Sequence, residues 1–134
     1  MNTKTQSCAM AFARTLMALI FILSGLSKIV AADAIRSYME AMHVPGGLLW
    51  PTILFEIGAG LLIVAGYQTR IVATVLAGFC LLTAAIFHHQ FADQIQMTMF
   101  LKSLAMAGGF VLLACVGPGT ISVDARGRAA QRAR

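Results

Sequence analysis

The sequence predicts an all-α membrane protein, a polytopic bundle of four transmembrane helices. Its 134 residues are 59% hydrophobic and only 11% charged, against about 25% charged residues in soluble domains. Four apolar runs fill most of the chain, at about 9–30, 48–67, 71–89 and 97–116. Each run is close to the roughly 20 residues that a helix needs to cross a hydrocarbon core of about 30 Å. Residues 1–125 are therefore predicted to form a single membrane domain.

The first run could instead be a cleaved signal peptide. Lys4 and Arg14 are basic, and the small residues at 30–32 resemble a cleavage site. The run is, however, longer than the roughly 7–15 apolar residues of a signal peptide, and Lys28 lies just before the supposed site. We therefore expect this run to remain in the protein as a transmembrane helix.

The segments between the runs predict how the helices are joined. Asp33 is placed to cap a short helix over 34–42, whose apolar side would lie at the membrane surface; a solvated loop is the alternative. Gln68-Thr69-Arg70 predicts a tight turn, so the second and third helices should form an antiparallel hairpin. Residues 126–134 are basic and poor in apolar residues, which predicts a disordered tail.

Basic residues indicate the orientation in the membrane. Lys4, Arg14, Arg70 and the tail lie on one side of the predicted bundle, whereas Lys28 and Lys102 lie on the other. The positive-inside rule then places both termini in the cytoplasm, as expected for a multi-pass protein of a bacterial-type inner membrane. The net charge of +5 is thus explained by the membrane, and no nucleic-acid partner is predicted. Four arginines are expected to contact the lipid surface: Arg126, Arg128, Arg132 and Arg134.

Ionisable residues within the apolar runs form the candidate functional site. Each run contributes one candidate, namely Lys28, Glu56, His88 and Lys102, and a helix rise of about 1.5 Å per residue places all four toward the outer half of the bundle. Charges at such depths are costly, so they are usually paired or functional. In one interpretation Glu56 forms an ion pair with Lys102 or with Lys28 that holds helices in register. In the other, the four residues surround a ligand site.

No metal site and no redox-active dithiol is predicted. Cys8, Cys80 and Cys115 are dispersed and lack CxxC spacing. His88 and His89 are adjacent, so on a helix their side chains point about 100° apart and do not converge on one metal ion. Cys80 is interpreted as a small packing residue.

A characteristic series of residues runs through all four predicted helices: Arg14, Phe21, Ser24-Gly25, Lys28, Glu56, Gly60, Gly66, Arg70, Phe87-His88, Lys102, Gly108-Gly109, Gly117-Pro118-Gly119, Ser122 and Asp124. In this order they resemble the DoxX family of small four-helix membrane proteins over nearly the whole chain. The resemblance implies an inner-membrane protein. Some family members serve as the membrane subunit of a thiosulfate:quinone oxidoreductase, and others are linked to membrane redox complexes or oxidative-stress responses.

Two classes of function follow. In the first, the chain is a subunit of, or accessory to, a quinone-linked membrane redox complex, and whether it is itself an enzyme stays open. A quinone headgroup would bind beside the four ionisable residues, between apolar walls supplied by Phe21, Phe55, Phe87 and Met99. In the second, it is a non-catalytic membrane component that binds a partner protein or a small solute, and the charges are structural. The expected partners are the lipid bilayer, redox proteins of the membrane and a second copy of the chain.

Overall fold

The computed structural model describes residues 3–132, and its regular structure over that range is helical. The α-helices are α1 (Thr3–Val30), α2 (Ala32–Ala41), α3 (Leu49–Ala65), α4 (Thr69–Phe87), α5 (Gln94–Val116) and α6 (Val123–Arg132). A 3-10 turn, Gly46–Leu48, leads into α3. Four helical segments within residues 3–132 are long and apolar enough to cross a membrane: α1, α3 together with the 3-10 turn that precedes it, α4, and α5. The predicted all-α bundle of four transmembrane helices is confirmed.

The outward faces of these four helices are apolar. Leu54, Ile71 and Leu112 are each more than 60% exposed, and many other large aliphatic side chains are exposed as well. In water, an apolar surface of this extent would promote aggregation. In a bilayer it is the favourable surface, because hydrocarbon chains cover it and each helix satisfies its own backbone hydrogen bonds.

The bundle is built from two helix pairs. The most extensive contacts are those of α1 with α3 and of α4 with α5, whereas α3 and α4 contact each other less. One apolar core joins the two pairs, and in it the rings of Phe21 (α1) and Phe110 (α5) lie edge to face with centroids 5.5 Å apart. Ile63 of α3 and Leu76 of α4 are fully buried in the same core.

Small residues bring α1 and α3 close together. A Cβ atom on Gly60 would lie 2.7 Å from Cγ1 of Ile22, and one on Gly25 would lie 2.5 Å from Cγ1 of Ile57. Neither position has room for a larger side chain unless the facing isoleucine moves. A Cβ atom on Gly58 of α3 would meet nothing within 4 Å, because that residue lies on another face of the helix. Small residues at positions 25 and 60 thus allow the close approach of the two helices.

The bundle has two distinct ends. We call the end with α2 and the α4–α5 connection the loop side, and the end with the α3–α4 turn and α6 the tail side. The hydroxyl of Thr120 donates to that of Ser7 at 2.5 Å, so the start of α1 and the segment after α5 meet on the tail side. That the tail side faces the cytoplasm stays a prediction from the distribution of basic residues.

The short helix predicted after the first span is present as α2, so the alternative of a solvated loop is wrong. Its Met39 packs with Leu49 and Ile53 of α3. The prediction that Asp33 caps this helix is wrong, because the N-cap residue is Ala31 and no side chain caps the helix. The chain turns at this single residue, whose N–H still bonds to the Ser27 carbonyl of α1 at 3.1 Å.

The ends of α4 and α5 differ from the predicted spans. α4 ends at Phe87, so His88 and His89 lie in the connection and not in the helix; Nδ1 of His89 instead lies 2.9 Å from the Ile86 carbonyl oxygen at the helix end. α5 begins at Gln94, three residues earlier than predicted, because the Asp93 carboxylate accepts the Ile95 N–H at 2.8 Å and caps the helix.

Residues 123–132 form helix α6, in place of the disordered tail that the sequence predicted from residue 126. No residue of this helix is buried. An aspartate in its first turn and an arginine in its last turn are both placed favourably for the helix dipole. Arg126, Arg128 and Arg132 are exposed on it, where contact with lipid headgroups stays a prediction, and Arg134 lies outside the described residues.

We expect Gly60→Leu to destabilise the bundle and Gly58→Leu, its matched control on the same helix, to leave stability nearly unchanged. The first substitution forces a side chain against Ile22, and overpacking of this kind typically costs about 1–3 kcal/mol. The second places a leucine in open space at the lipid surface. Thermal unfolding of both variants in detergent micelles measures the difference. Equal unfolding temperatures would contradict the close α1–α3 contact.

Candidate functional site

An ion pair between Lys28 of α1 and Glu56 of α3 is the centre of the candidate site on the loop side. The Lys28 ammonium donates to both carboxylate oxygens of Glu56, at 3.1 Å to Oε1 and 2.9 Å to Oε2. It also donates to the hydroxyl of Ser24, one turn earlier on α1. An ammonium has three N–H donors, so these three acceptors satisfy it completely.

The two partners differ in their access to the surface. The Lys28 side chain is 22% exposed, whereas that of Glu56 is only 6% exposed. Lys28 lies two residues before the end of α1, and its long aliphatic side chain can extend so that the ammonium reaches the interface. Glu56 lies in the second turn of α3 between Ile53 and Ile57, which pack into the apolar cluster under α2. The carboxylate is therefore held inside the bundle and depends on Lys28.

The structure does not bring all four predicted ionisable residues together. Lys28 and Glu56 form the pair, and of the two partners proposed for Glu56 the structure selects Lys28. Lys102 is exposed on α5 and takes no part in the pair. His88 is half-buried beyond the end of α4, and its Nδ1 lies 3.1 Å from Oε1 of Gln96.

The four side chains predicted as cleft walls likewise separate. Phe21 and Phe55 belong to the main core, where both rings pack against Phe79 with centroids 6.3 and 5.0 Å away. Phe87 belongs to the cluster under α2 and stacks on Tyr38 at 5.7 Å. Met99 is 37% exposed on α5. These residues fill the two clusters and do not face one another across a common cleft.

Cysteines and histidines form no metal-ligating group in the part of the chain that the structure describes. Within residues 3–132, no three side chains among His, Cys, Asp and Glu lie close enough to share an ion. Cys80 is buried in the main core, whereas Cys8 and Cys115 are exposed. All three are free thiols.

A second polar cluster, which we call the arginine clamp, lies on the tail side and centres on Arg14. This residue of α1 is only 2% exposed, and its Nη2 donates to the carbonyl oxygen of Ile121 at 2.7 Å. Its Nε and Nη1 find no acceptor among the described residues. Nη1 lies against Gly66, where a Cβ atom would collide with it; Gly66 also has a left-handed φ of 71°. Glycine is therefore required at position 66 for two reasons, the contact with Arg14 and the positive φ.

Asp124 completes the arginine clamp from the other end of the chain. Its carboxylate accepts the backbone N–H groups of Gln68 at 2.7 Å and Thr69 at 2.9 Å, and so caps the N-terminus of α4. Its own N–H donates to the carbonyl of Gly66 at 3.0 Å. The segment after α5 is thus fastened to the α3–α4 turn, and it covers Arg14.

The electrostatics of Asp124 favour its ionised form. Partial burial alone would raise the pKa of this carboxyl, but the hydrogen bonds from the backbone of Thr69 and Gln68, with the nearby charge of Arg128, outweigh it and lower the pKa below its ordinary value. The negative charge also acts on the Arg14 guanidinium. The ionised Asp124 carboxylate therefore favours the docked tail, and its charge offsets part of the cost of burying the Arg14 guanidinium.

Sequence reasoning missed the arginine clamp as a unit. It used Arg14 as a marker of orientation and Asp124 only as part of the family resemblance. One signal was available, because Asp124 is the only acidic residue beyond Asp93 and stands in a basic segment. The partner of that carboxylate, however, is backbone in a turn 55 residues away, and no side-chain pattern predicts such a contact.

We expect Lys28→Met to destabilise the protein more than Glu56→Gln. The first leaves the Glu56 charge buried, a loss that typically costs about 3–5 kcal/mol, whereas the second leaves a lysine that can reach the interface. Thermal unfolding should show that stability recovers in the double variant Lys28→Met/Glu56→Gln. It should show unchanged stability in Lys102→Met, the matched lysine control. Single variants as stable as Lys102→Met would contradict the paired site.

We expect Asp124→Ala to increase amide hydrogen exchange at Gln68 and Thr69 about fivefold, because losing a helix cap typically costs about 1 kcal/mol. The lowered pKa makes the contribution of Asp124 fully present above about pH 4 and lost as the pH falls through the folded-state value. Wild-type protection of these amides should therefore weaken in acid, and that of Asp124→Asn should not. Asp93→Ala, which removes the cap of α5, should leave both amides unaffected.

Comparisons with known proteins agree with this architecture. The DoxX family model matches residues 9–89. The inner membrane protein YqjF of Escherichia coli strain K12 is 46% identical over 121 residues, which cover 90% of this chain and 93% of that protein. The inner membrane protein YphA of the same strain is 38% identical over 121 residues, covering 85% and 86%. No solved structure matches. This chain, with its four membrane-spanning helices, is an inner-membrane protein that belongs to the DoxX family.

Proposed function

We propose that this protein is a non-catalytic membrane component of, or accessory to, a redox complex of the inner membrane, and that its intramembrane charges are structural. The observation that carries the proposal is the saturation of the Lys28 ammonium by Ser24 and both oxygens of Glu56. A group with every donor occupied holds helices in register and offers no free hydrogen bond to a substrate. The association with redox complexes comes from the family resemblance.

The distribution of the remaining predicted site residues supports a structural role. Lys102 is exposed and His88 lies in a connection, so the Lys28–Glu56 pair has neither as a neighbouring acid or base in hydrogen-bond contact. The aromatic side chains expected to enclose a ring are packed against other aromatic rings. In this proposal the protein contributes a stable membrane surface to its partners, and the chemistry belongs to them.

A second candidate function is that the pair binds a quinone headgroup within the same complex. One observation favours it: the Lys28 side chain is still 22% exposed, so a ligand can reach the ammonium. A quinone carbonyl would have to replace Ser24 or one Glu56 oxygen as acceptor, and Glu56 could then receive or release a proton. Phe21, Phe55, Phe87 and Met99 would have to rearrange to admit the ring.

One titration separates the two candidates. If the pair is structural, a short-chain benzoquinone added to the purified protein should leave its unfolding temperature unchanged up to saturating concentration. If the pair binds the headgroup, the quinone should stabilise the folded protein by mass action. That shift should then disappear in the double variant Lys28→Met/Glu56→Gln, which carries no stranded charge, and persist in Lys102→Met. A shift with this dependence would overturn the structural proposal and establish the second candidate.

A further inference from the structure

An open groove on the tail side is lined by three arginines and by no acidic residue. Arg70 from the start of α4 stands on one side, Arg128 and Arg132 from α6 stand on the other, and the segment 117–120 lies between them. The groove has a volume of about 630 Å³, which is large enough for a phosphate group with its substituent. We call it the arginine groove.

The guanidinium groups of the arginine groove are available for a ligand. Within residues 3–132, the side chains of Arg70, Arg128 and Arg132 form no hydrogen bond or ion pair with another described residue, although the backbone carbonyl of Arg70 accepts from the Thr74 hydroxyl at 2.9 Å. The one acidic residue on α6, Asp124, has its carboxylate bonded to the backbone of the α3–α4 turn, although its charge also acts on Arg128. Three positive charges therefore line one groove, and among them Arg128 is partly compensated by the charge of Asp124.

A glycine gives Arg70 its position at the groove. A Cβ atom on Gly117 would lie 3.3 Å from Nη2 of Arg70, so the guanidinium lies directly against the backbone where α5 ends. Gly117 has a left-handed φ of 89°, where the chain turns sharply after α5, and α6 then lies beside the start of α4. The arginines of two helices far apart in sequence are brought together by this turn.

The depth of the groove matches the headgroup region of a bilayer. α5 has 23 residues, which at about 1.5 Å per residue span about 34 Å, slightly more than a hydrocarbon core of about 30 Å. The groove begins where this helix ends. Its wall also includes the apolar side chains of Val116, Pro118, Ala125 and Ala129, which suit the glycerol and upper acyl region of a lipid.

We propose that the arginine groove binds a phosphate group, presented either by an anionic phospholipid headgroup or by a soluble phosphate compound. Guanidinium groups bind phosphate oxygens through paired, charge-assisted hydrogen bonds, and two helices that supply arginines on opposite sides can hold one phosphate between them. This differs from general attraction of a basic tail to the membrane, because it requires Arg70, which lies outside the tail.

The test uses the full-length protein in micelles of a neutral detergent, at constant ionic strength. Three additions are compared by thermal unfolding and by native mass spectrometry: phosphatidylglycerol, diacylglycerol as a lipid without phosphate, and inorganic phosphate. Each is applied to the wild type, to Arg70→Gln and to Arg128→Gln. Arg126→Gln is the matched control, because it removes the same charge from α6 at a residue that does not line the groove.

Phosphatidylglycerol should remain bound to the wild type and raise its unfolding temperature, and diacylglycerol should do neither. Arg70→Gln and Arg128→Gln should each weaken the binding about tenfold, because each removes a charge-assisted contact to phosphate, and Arg126→Gln should change it less than about twofold. The same pattern with inorganic phosphate would identify a soluble phosphate compound as the source. Absence of binding by either anion, or equal losses in Arg126→Gln and Arg70→Gln, would overturn the proposal.

Discussion

The need to satisfy every polar group within hydrocarbon governs this structure. Each spanning helix satisfies its own backbone, and the side chains that cannot reach water must find partners inside the bundle. Glu56 is constrained in this way, because its side chain is 6% exposed and too short to reach the interface. Its pairing with Lys28 requires α1 and α3 to pack closely, and Gly25 and Gly60 provide that close contact. One of the two closely packed helix pairs is thus built around a buried charge.

The two ends of the bundle solve the same problem differently. On the loop side a side-chain pair neutralises opposite charges, and the short helix α2 covers the neighbouring apolar cluster with Met39. On the tail side a buried arginine is covered by the segment that follows α5, and Asp124 fastens this segment to the backbone of a turn. The tail-side contacts connect α1, the α3–α4 turn and α6. They therefore link the two helix pairs where the contact between α3 and α4 is modest.

This division bears on function. The polar groups of the loop side satisfy one another, which is the property of a structural element and not of a site prepared for chemistry. The tail side, in contrast, presents the guanidinium groups of Arg70, Arg128 and Arg132, which have no hydrogen-bond partner among the described residues. In our proposals, the tail-side surface of this DoxX-family protein binds another molecule, and the interior of the bundle holds that surface in place.

The sequence by itself determined the fold class, because four long apolar runs in a short chain can be stable only as spanning helices. It also identified Glu56 as a residue that needs a partner, and it narrowed that partner to Lys28 or Lys102. Only the tertiary structure decided between them, since the choice depends on the rotation of each helix about its axis. An apolar run specifies this rotation weakly, because its lipid-facing side and its helix-facing side are both apolar. The helical tail and the arginine clamp were likewise beyond the sequence. They depend on contacts of Arg14 and Asp124 with backbone groups, and backbone groups are the same in every residue, so their partners leave no pattern to read.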